Sequence, residues 1–398
     1  MSVRKYTRAS IAAGVSAAAL LAFTAPASAQ TTEELIELIR KQAAQIEALQ
    51  QRLESLEKAA QSQPAPAPAA SGQAAAAPAA SGGGQPDVKV AWKGAPEFSS
   101  VDGKYTAKLR GRVQSDYWGV SSSTDGVDYP SGSTLRAIRL GVEGKLSPLF
   151  AYKAEVDFTG DSTTVKDAYL RYLGVDGWTF TVGNHKPLFS LENLTGLPRT
   201  TFMERALPNV FAFSESIGFS AATSGDNWSF GVTAFGETPG TEVNGDEGYG
   251  IAGRATFAPI AEKTSHLHVG VSGYHKKLTE DHFPNNPNRD QGIQVRQRPE
   301  VRVFGTRLVD TGFLNADSTS AVGVELAGGF GPFAAQGEYI WNWADLDVGG
   351  TAKFDGAYVH ASWFVTGESR PYDAKSGTHG RLRPAAALGE GGIGAFEV

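Results

Sequence analysis

The sequence predicts an all-β protein, namely a transmembrane antiparallel β-barrel of about 16 strands when complete, preceded by a short N-terminal coiled-coil helix. Apolar and polar residues alternate with period two after about Lys104, and an export signal begins the chain. The composition agrees, because 47 glycines, 10% aromatic residues and only two methionines suit strands and tight turns better than helices.

Residues 1–29 have the order of a secretory signal peptide. Basic residues between Arg4 and Arg8 precede an apolar run from Ile11 to Phe23, and Ala27-Ser28-Ala29 form a small-residue cleavage site. The run is shorter than the ~20 apolar residues that a membrane-spanning helix needs. We therefore predict an exported protein of a Gram-negative bacterium.

Residues 30–60 form a heptad repeat, and residues 61–87 form a linker rich in Ala, Pro, Ser and Gly. The heptad predicts a periplasmic coiled coil that self-associates, and a lone amphipathic helix is the alternative. The linker composition predicts a flexible, partly extended chain. The heptad core positions are Leu35, Gln42, Leu49 and Leu56 on one register and Ile39, Ile46 and Leu53 on the other.

Residues 88–398 are predicted to form the outer-membrane barrel. In the first strand Lys108 and Arg110 lie on one face, and Leu109 and Val113 on the other. Four further strands with the same pattern extend to about Val182. The later candidates are Ile217 to Thr223, Asn227 to Glu237, Gly248 to Pro259, Ser265 to Leu278, Gln294 to Leu308, Thr319 to Phe330, Pro332 to Ala344 and Ala352 to Glu368.

These candidates make roughly 13 strands, whereas bacterial barrels close with an even number. The residues from Gly394 to Val398 resemble the beginning of one more strand. An open sheet edge in lipid would leave backbone groups without partners, at high cost. We therefore expect that the sequence is truncated at its C-terminus.

A soluble β-sandwich is the alternative architecture, because its strands also alternate. Two observations favour the membrane barrel: several strands carry three or more charges on the polar face, and turns are short at one rim but long at the other. Aromatic residues also cluster near strand ends, as in an interfacial girdle. They are Tyr117, Trp118, Tyr172, Trp178, Trp228, Tyr339, Trp341, Trp343, Trp363 and Phe364.

At about residues 187–216 the alternation fails, and the chain has the character of a long, partly helical loop. Loops of this length in a compact barrel are uncommon and tend to be functional. Folded inward, this loop would narrow a pore and set its selectivity.

This region resembles the phosphate-selective porins, whose best-known members pass phosphate and polyphosphate. The resemblance lies in Gly183-Asn184-His185-Lys186-Pro187-Leu188-Phe189-Ser190-Leu191-Glu192, in Thr201-Phe202-Met203-Glu204-Arg205 and in the strand from Tyr105 to Ser115. It implies a barrel of about 16 strands in outer-membrane lipid, a homotrimer and an inward-folded third loop. It also implies conduction of inorganic anions, such as phosphate, along basic side chains.

Selectivity in such a pore would come from inward-facing charges. On the first five strands, taken with Lys186, eight basic side chains exceed the five acidic ones, Asp116, Glu143, Glu155, Asp157 and Asp167, so we predict a mild anion preference. The predicted pore-lining and anion-binding residues are Lys108, Arg110, Arg112, Arg139, Lys145, Lys153, Arg171, Lys186, Arg199 and Arg205.

Each basic residue could instead form an ion pair that holds the shape of the barrel. This alternative applies above all to Arg139, Lys153 and Arg171, which lie near acidic neighbours. Arg110 and Arg112 belong to a run without an acid until Asp116, so we predict that they are free of salt bridges. Their planar guanidinium groups can bind an oxyanion through two hydrogen bonds.

Other classes of function lack support in the sequence. There are no cysteines for disulfides or thiolate chemistry, and a net charge of −6 argues against nucleic-acid binding. His266 and His268 share a strand face without a third ligand, so we predict no metal site, no cofactor and no enzyme activity. Alternatives to a phosphate channel are a general or organic-anion porin, or a barrel tethered to a periplasmic partner through the coiled coil.

Overall fold

The structure is a computed structural model, which describes residues 88–92, 94–120, 131–160, 162–240, 246–279, 292–298, 300–301, 305 and 307–398. The predicted signal peptide, coiled coil and linker lie outside the described residues. The statements below concern the part of the chain after residue 82, which forms one compact unit.

The described part of the chain folds into one antiparallel sheet of 15 strands and two small two-stranded sheets. The large sheet follows chain order from β1 to β11 and continues through β15, β16 and β17. The short strand β12 also pairs with β15. The strands are β1 (Val88–Trp92), β2 (Pro96–Ser100), β3 (Thr106–Trp118), β4 (Gly132–Ser147), β5 (Phe150–Asp157), β6 (Thr164–Tyr172), β7 (Trp178–His185), β8 (Ser216–Ser224), β9 (Trp228–Phe235), β10 (Tyr249–Ala261), β11 (Ser265–Lys277), β12 (Gly292–Ile293), β13 (Arg296–Gln297), β14 (Val309–Asp310), β15 (Leu314–Phe330), β16 (Phe333–Leu346), β17 (Gly350–Trp363), β18 (Tyr372–Asp373) and β19 (Thr378–His379).

Most strands of the sheet bury polar residues and expose large apolar ones. On β3, Val113 and Tyr117 are 77% and 78% exposed, whereas Asp116 is 6% exposed. On β17, Val359 is 83% exposed, whereas Ser362, on the opposite face of the same strand, is buried. This inverted alternation fits strands with an apolar outer face and a polar inner face. The polar face is called the inner face below.

Connections between the long strands are short at one rim of the sheet. Only two residues separate β4 from β5 and β15 from β16, and three residues separate β8 from β9 and β10 from β11. The connections at the opposite rim include the segments between β7 and β8 and between β11 and β15. Successive antiparallel strands alternate their ends between two rims. The predicted difference between the rims therefore holds for these connections, but not for β16 and β17, which three residues join at the rim of the longer ones.

The strand predictions hold for the long strands, with two corrections. The hairpin of β1 and β2 was not predicted as strands. The predicted strand from Gln294 to Leu308 is wrong: its described residues contain one strand of two residues, β13, which pairs with β14 just beyond the stretch. Alternation over this stretch satisfies a period of two, but it does not determine which strand the segment pairs with.

The described sheet is not closed, since β1 and β17 lie at the two ends of the strand order and do not pair with each other. The last residues, 396–398, run antiparallel to the end of β17. Trp363 and Val398 exchange two backbone hydrogen bonds, of 2.7 and 3.0 Å, and Phe364 is bridged to Glu397. The predicted start of a strand near the C-terminus is therefore seen as pairing with β17.

Two segments cover the inner face. The inserted segment, residues 186–215, contains a short helix α1 (Leu191–Leu194) and two 3₁₀ helices, Leu197–Arg199 and Leu207–Phe211. The late segment, residues 364–395, contains β18 and β19. No helix among the described residues is long and apolar enough to cross a membrane.

The inserted segment packs against the sheet through an apolar cluster. Phe189 lies edge-on to Tyr274 of β11, with ring centroids 5.0 Å apart. The sheet makes room for the segment with glycine, because a Cβ atom on Gly231 would lie 2.5 Å from Cδ1 of Leu188. The buried members of the cluster are Phe189, Phe211, Phe235, Ala252, Tyr274, Val295, Ala321 and Ile340.

Candidate functional site

The predicted basic residues of β3 lie on the inner face. Lys108, Arg110 and Arg112 are half-buried and alternate with exposed Leu109 and Val113. The sheet brings this row beside Arg139 and other charged residues of β4, because β3 and β4 pair along most of their length. The alternation that predicted a charged inner face on these strands is therefore confirmed.

Most of the inner-face charges on β3 to β6 are committed to ion pairs. The Arg110 guanidinium lies 2.7 Å from the Glu143 carboxylate, and the Lys153 ammonium lies 2.6 Å from the Asp167 carboxylate. Arg139 contacts two carboxylates, of which that of Asp157 is 2.9 Å away. The prediction that Arg110 is free of salt bridges is wrong, because the acid that neutralises it comes from the neighbouring strand rather than its own.

Four predicted basic residues of these strands have no carboxylate within ion-pair distance among the described residues. They are Lys108, Arg112, Lys145 and Arg171. The Arg171 guanidinium instead lies 5.1 Å from the centre of the Tyr169 ring, a cation–π contact. Arg112 donates from Nη2 to Oε1 of Gln114 at 2.8 Å. Arg112 is thus the unpaired arginine of the β3 row.

Arg136 is an inner-face residue that the alternation assigned to the wrong side. Counting by twos places it on the outer face with Ile138 and Leu140. The register between β3 and β4 shifts beside Gln114, and this bulge leaves Arg136 unpaired in the ladder and 9% exposed. Its guanidinium forms an ion pair with Glu204 of the inserted segment, including one contact of 2.9 Å.

Lys186 and Arg205 are bound by the inserted segment itself. The Lys186 ammonium donates to the backbone and side-chain oxygens of Asn193, and burial lowers its pKa to about 7. Arg205 donates to the backbone oxygens of Glu192 and Thr195, both at 2.8 Å. These cations hold the fold of the segment, and their predicted contact with anions stays a prediction.

A carboxylate on the sheet anchors the start of helix α1, and the sequence contained no signal for it. Glu338 of β16 accepts the backbone N–H groups of Leu191 and Glu192 at 3.0 and 2.8 Å, and it accepts the Tyr358 hydroxyl at 2.7 Å. Ser190 caps the same helix by accepting the Asn193 N–H. Alternation predicts that Glu338 faces inward but not that a loop arriving from β7 meets it there.

A second carboxyl group connects the two halves of the inserted segment. Glu192 is 4% exposed and accepts the backbone N–H of Ala206 at 3.0 Å. Burial, followed by the nearby charge of Glu338, raises the pKa of Glu192 to about 7. The docked segment therefore favours the protonated carboxyl group.

We expect the inserted segment to be held less firmly as pH rises from about 4.5 to about 7. In this window Glu192 is ionised when the segment is undocked, but it keeps its proton when the segment is docked. Docking must therefore take up a proton, and it becomes less favourable as pH rises. Limited proteolysis within the inserted segment, normalised to a control substrate, should thus be faster at pH 7.5 than at pH 5. Glu192→Gln should reduce this difference, and a variant that keeps all of it would contradict the assignment.

The late segment is fastened by a buried ionic cluster that sequence reasoning missed. Arg254 of β10 lies 2.7 Å from Glu325 of β15 and donates to two backbone carbonyls of residues 364–395. His268 contacts Glu325 at 3.1 Å with one ring nitrogen and the Tyr372 hydroxyl at 2.7 Å with the other. Within the described ranges, no group of three or more His, Asp or Glu side chains is arranged to hold a metal ion.

Arg199 lies where the inserted segment meets the late segment. It donates weakly to the backbone oxygen of His379, at 3.5 Å, and its own backbone oxygen accepts from Arg370 at 3.1 Å. Arg370 also forms an ion pair with Glu397 and donates to Thr201 at 2.6 Å. The structure thus brings these two segments together through Arg370, which was not a predicted site residue.

A cavity of about 310 Å³, widely open on one side, lies between β3 and the inserted segment. Arg112 and Gln114 line it from the strand, and Leu197, Phe202 and Met203 line it from the segment. It combines the unpaired arginine of the β3 row with apolar side chains, a composition that fits binding sites for small molecules.

The residues that build this inner face fall within a known family. Residues 107–398 match the model of the family described as phosphate-selective porin O and P. The chain belongs to this family. The resemblance stated from the sequence is therefore confirmed, and the matched residues include β4 to β17 and both the inserted and the late segment.

The chain is also similar, over most of its length, to two known bacterial proteins. The chain is 33% identical over 322 residues to an uncharacterized protein of Caulobacter vibrioides, covering 78% of this chain and 63% of that protein. It is 26% identical over 337 residues to porin O of Pseudomonas aeruginosa, covering 78% of this chain and 75% of that protein. The match thus spans less than two thirds of the Caulobacter protein.

Proposed function

We propose that this protein forms a water-filled diffusion channel in the bacterial outer membrane, with a mild preference for anions. One observation carries the proposal: the sheet has an apolar outer face and a charged inner face, on which Arg112 is not neutralised by a carboxylate. Family membership supports it, and the family description makes phosphate a candidate solute. Polyphosphate is a second candidate, taken from the earlier resemblance.

The ion pairs of the inner face favour a mild preference over a dedicated phosphate path. Arg110 and Arg139 each face two carboxylates, and Lys153 is paired with Asp167. Cations neutralised in this way contribute little field to a passing anion. The remaining preference would come from the four unpaired cations described above, screened by the water of the channel.

We further propose that the mature protein assembles as a homotrimer with its heptad segment in the periplasm, and that it is not an enzyme. Two alternatives stay open: a general or organic-anion porin without phosphate selectivity, and a barrel tethered to a periplasmic partner. Conductance in planar lipid bilayers separates the channel from a plugged anchor. Discrete current steps are expected, and their complete absence from inserted protein would contradict the proposal.

Arg112→Gln is expected to lower the anion-to-cation permeability ratio up to several-fold. A unit charge about 4 Å from an ion in water contributes about 1 kcal/mol, so the effect is partial. Zero-current potentials in a potassium chloride gradient measure the ratio. The control is the double variant Arg110→Gln with Glu143→Gln, which removes a neutralised pair and should leave the ratio unchanged. An equal shift in both variants would show that selectivity does not depend on unpaired charge.

A further inference from the structure

The cavity between β3 and the inserted segment offers one cationic group with free hydrogen-bonding capacity. Arg112 lines this cavity, its guanidinium donates from Nη2 to Gln114, and among the described residues no carboxylate lies within ion-pair distance of it. A guanidinium has five N–H donors and keeps its charge, so this group can bind an anion that enters the cavity. The nearby Arg136 and Arg139 add positive potential, although each is paired with an acid.

The opposite wall of the cavity is mainly apolar, with Thr200 as its polar member. Phe202 and Met203 lie on the inserted segment and are 53% and 42% exposed, and Leu197 and Pro198 line the same cavity. The Phe202 ring is held in place by an edge-on contact with His360 of β17, with ring centroids 5.5 Å apart. Exposed apolar side chains grouped beside a polar surface mark a binding surface more often than chance exposure.

A small inorganic ion uses only half of such a site. Phosphate can accept hydrogen bonds from Arg112, but its strongly hydrated oxygens gain nothing from an apolar wall. A carboxylate that carries an aromatic or branched apolar body can use both halves, with its charge on the guanidinium and its body on Phe202 and Met203. A volume of about 310 Å³ lies at the lower end of the range for small-molecule sites, which is on the order of 300–1,000 Å³.

We propose that this cavity is a binding site for organic monoanions with an apolar body, with Arg112 as the anion-binding residue and Phe202 and Met203 as the specificity-determining wall. The proposal rests on the channel function proposed above, because the anions reach the cavity from the channel. The proposed ligands differ from inorganic phosphate, which has no apolar body to contact Phe202 and Met203.

The test is inhibition of the potassium chloride current by benzoate, acetate or inorganic phosphate in bilayers containing the full-length protein. Benzoate should half-block the current at a concentration about tenfold lower than acetate does, because its ring leaves water on the apolar wall. In Phe202→Ser the half-blocking concentration of benzoate should rise to near that of acetate. In Arg112→Gln the half-blocking concentrations of both carboxylates should rise. Lys145→Gln removes an unpaired cation outside the cavity and should leave the benzoate-to-acetate ratio unchanged.

The outcomes separate this site from the channel function. Equal half-blocking concentrations for benzoate and acetate in an anion-selective channel would overturn the site while leaving the channel proposal intact. Calorimetric titration of the detergent-solubilised protein with benzoate tests the site without conduction. Binding that Phe202→Ser weakens supports the site even where current steps are absent, and no measurable preference for benzoate over acetate in this titration overturns it.

Discussion

Glu338→Ala is expected to release the inserted segment from the inner face, with higher current noise and a several-fold change in single-channel conductance. The substitution leaves the backbone N–H groups of Leu191 and Glu192 buried without an acceptor. Each such group costs about 1–3 kcal/mol, which is large against the few contacts that hold a short helix. Single-channel recording in planar bilayers measures both quantities.

A matched control lies two residues away on the same face of β16. Gln336 donates to the Tyr358 hydroxyl at 2.7 Å, and no hydrogen bond joins it to the inserted segment among the described residues. Gln336→Ala should therefore leave conductance and noise near wild-type values. Glu338→Gln keeps one acceptor oxygen and should give an intermediate effect. Wild-type noise in Glu338→Ala would refute the anchoring role.

Glu325→Gln is expected to destabilise the protein by about 3–5 kcal/mol, which is typical for removal of one partner from a buried ion pair. Arg254 would keep its charge in a site where its side chain is only 4% exposed and that of Glu325 is wholly buried. The loss should also loosen the late segment, whose backbone carbonyls accept hydrogen bonds from Arg254. Urea unfolding of the detergent-solubilised protein, followed by tryptophan fluorescence, measures the change.

The control replaces both charges with apolar side chains of similar length. Arg254→Met combined with Glu325→Leu leaves no uncompensated charge, so its loss of stability should be smaller than that of Glu325→Gln alone. If the single substitution costs no more than the double one, the ion pair is not what holds this region. In that case the contacts of His268 with Tyr372 become the better explanation.

Arg136 illustrates how a single bulge limits prediction from alternation. Side chains alternate strictly only while the ladder is regular, and one extra residue reverses the face of those on one side of it. Arg136 faces inward as a result and binds Glu204, although it shares the parity of the exposed Leu140. No local feature of the sequence distinguishes a bulge here from a regular strand.

Arg110 shows the corresponding limit for charges. Its own strand contains no acid until Asp116, which suggested a free cation. In an antiparallel sheet, however, the nearest side chains lie across the strands, and Glu143 of β4 comes within 2.7 Å. Cross-strand neighbours depend on register, which a single strand does not specify.

The sequence by itself determined the pattern of the long strands, the position of the inserted segment and the family, because these follow from local periodicity and from motifs that are continuous in the chain. The tertiary structure alone decided which charges are free. Glu338 meets the backbone of Leu191 across 147 positions, and Arg254 meets Glu325 across 71. Such contacts depend on the register of strands that are distant in sequence and on the path of segments that cross the inner face, and neither is encoded in the spacing of neighbouring residues.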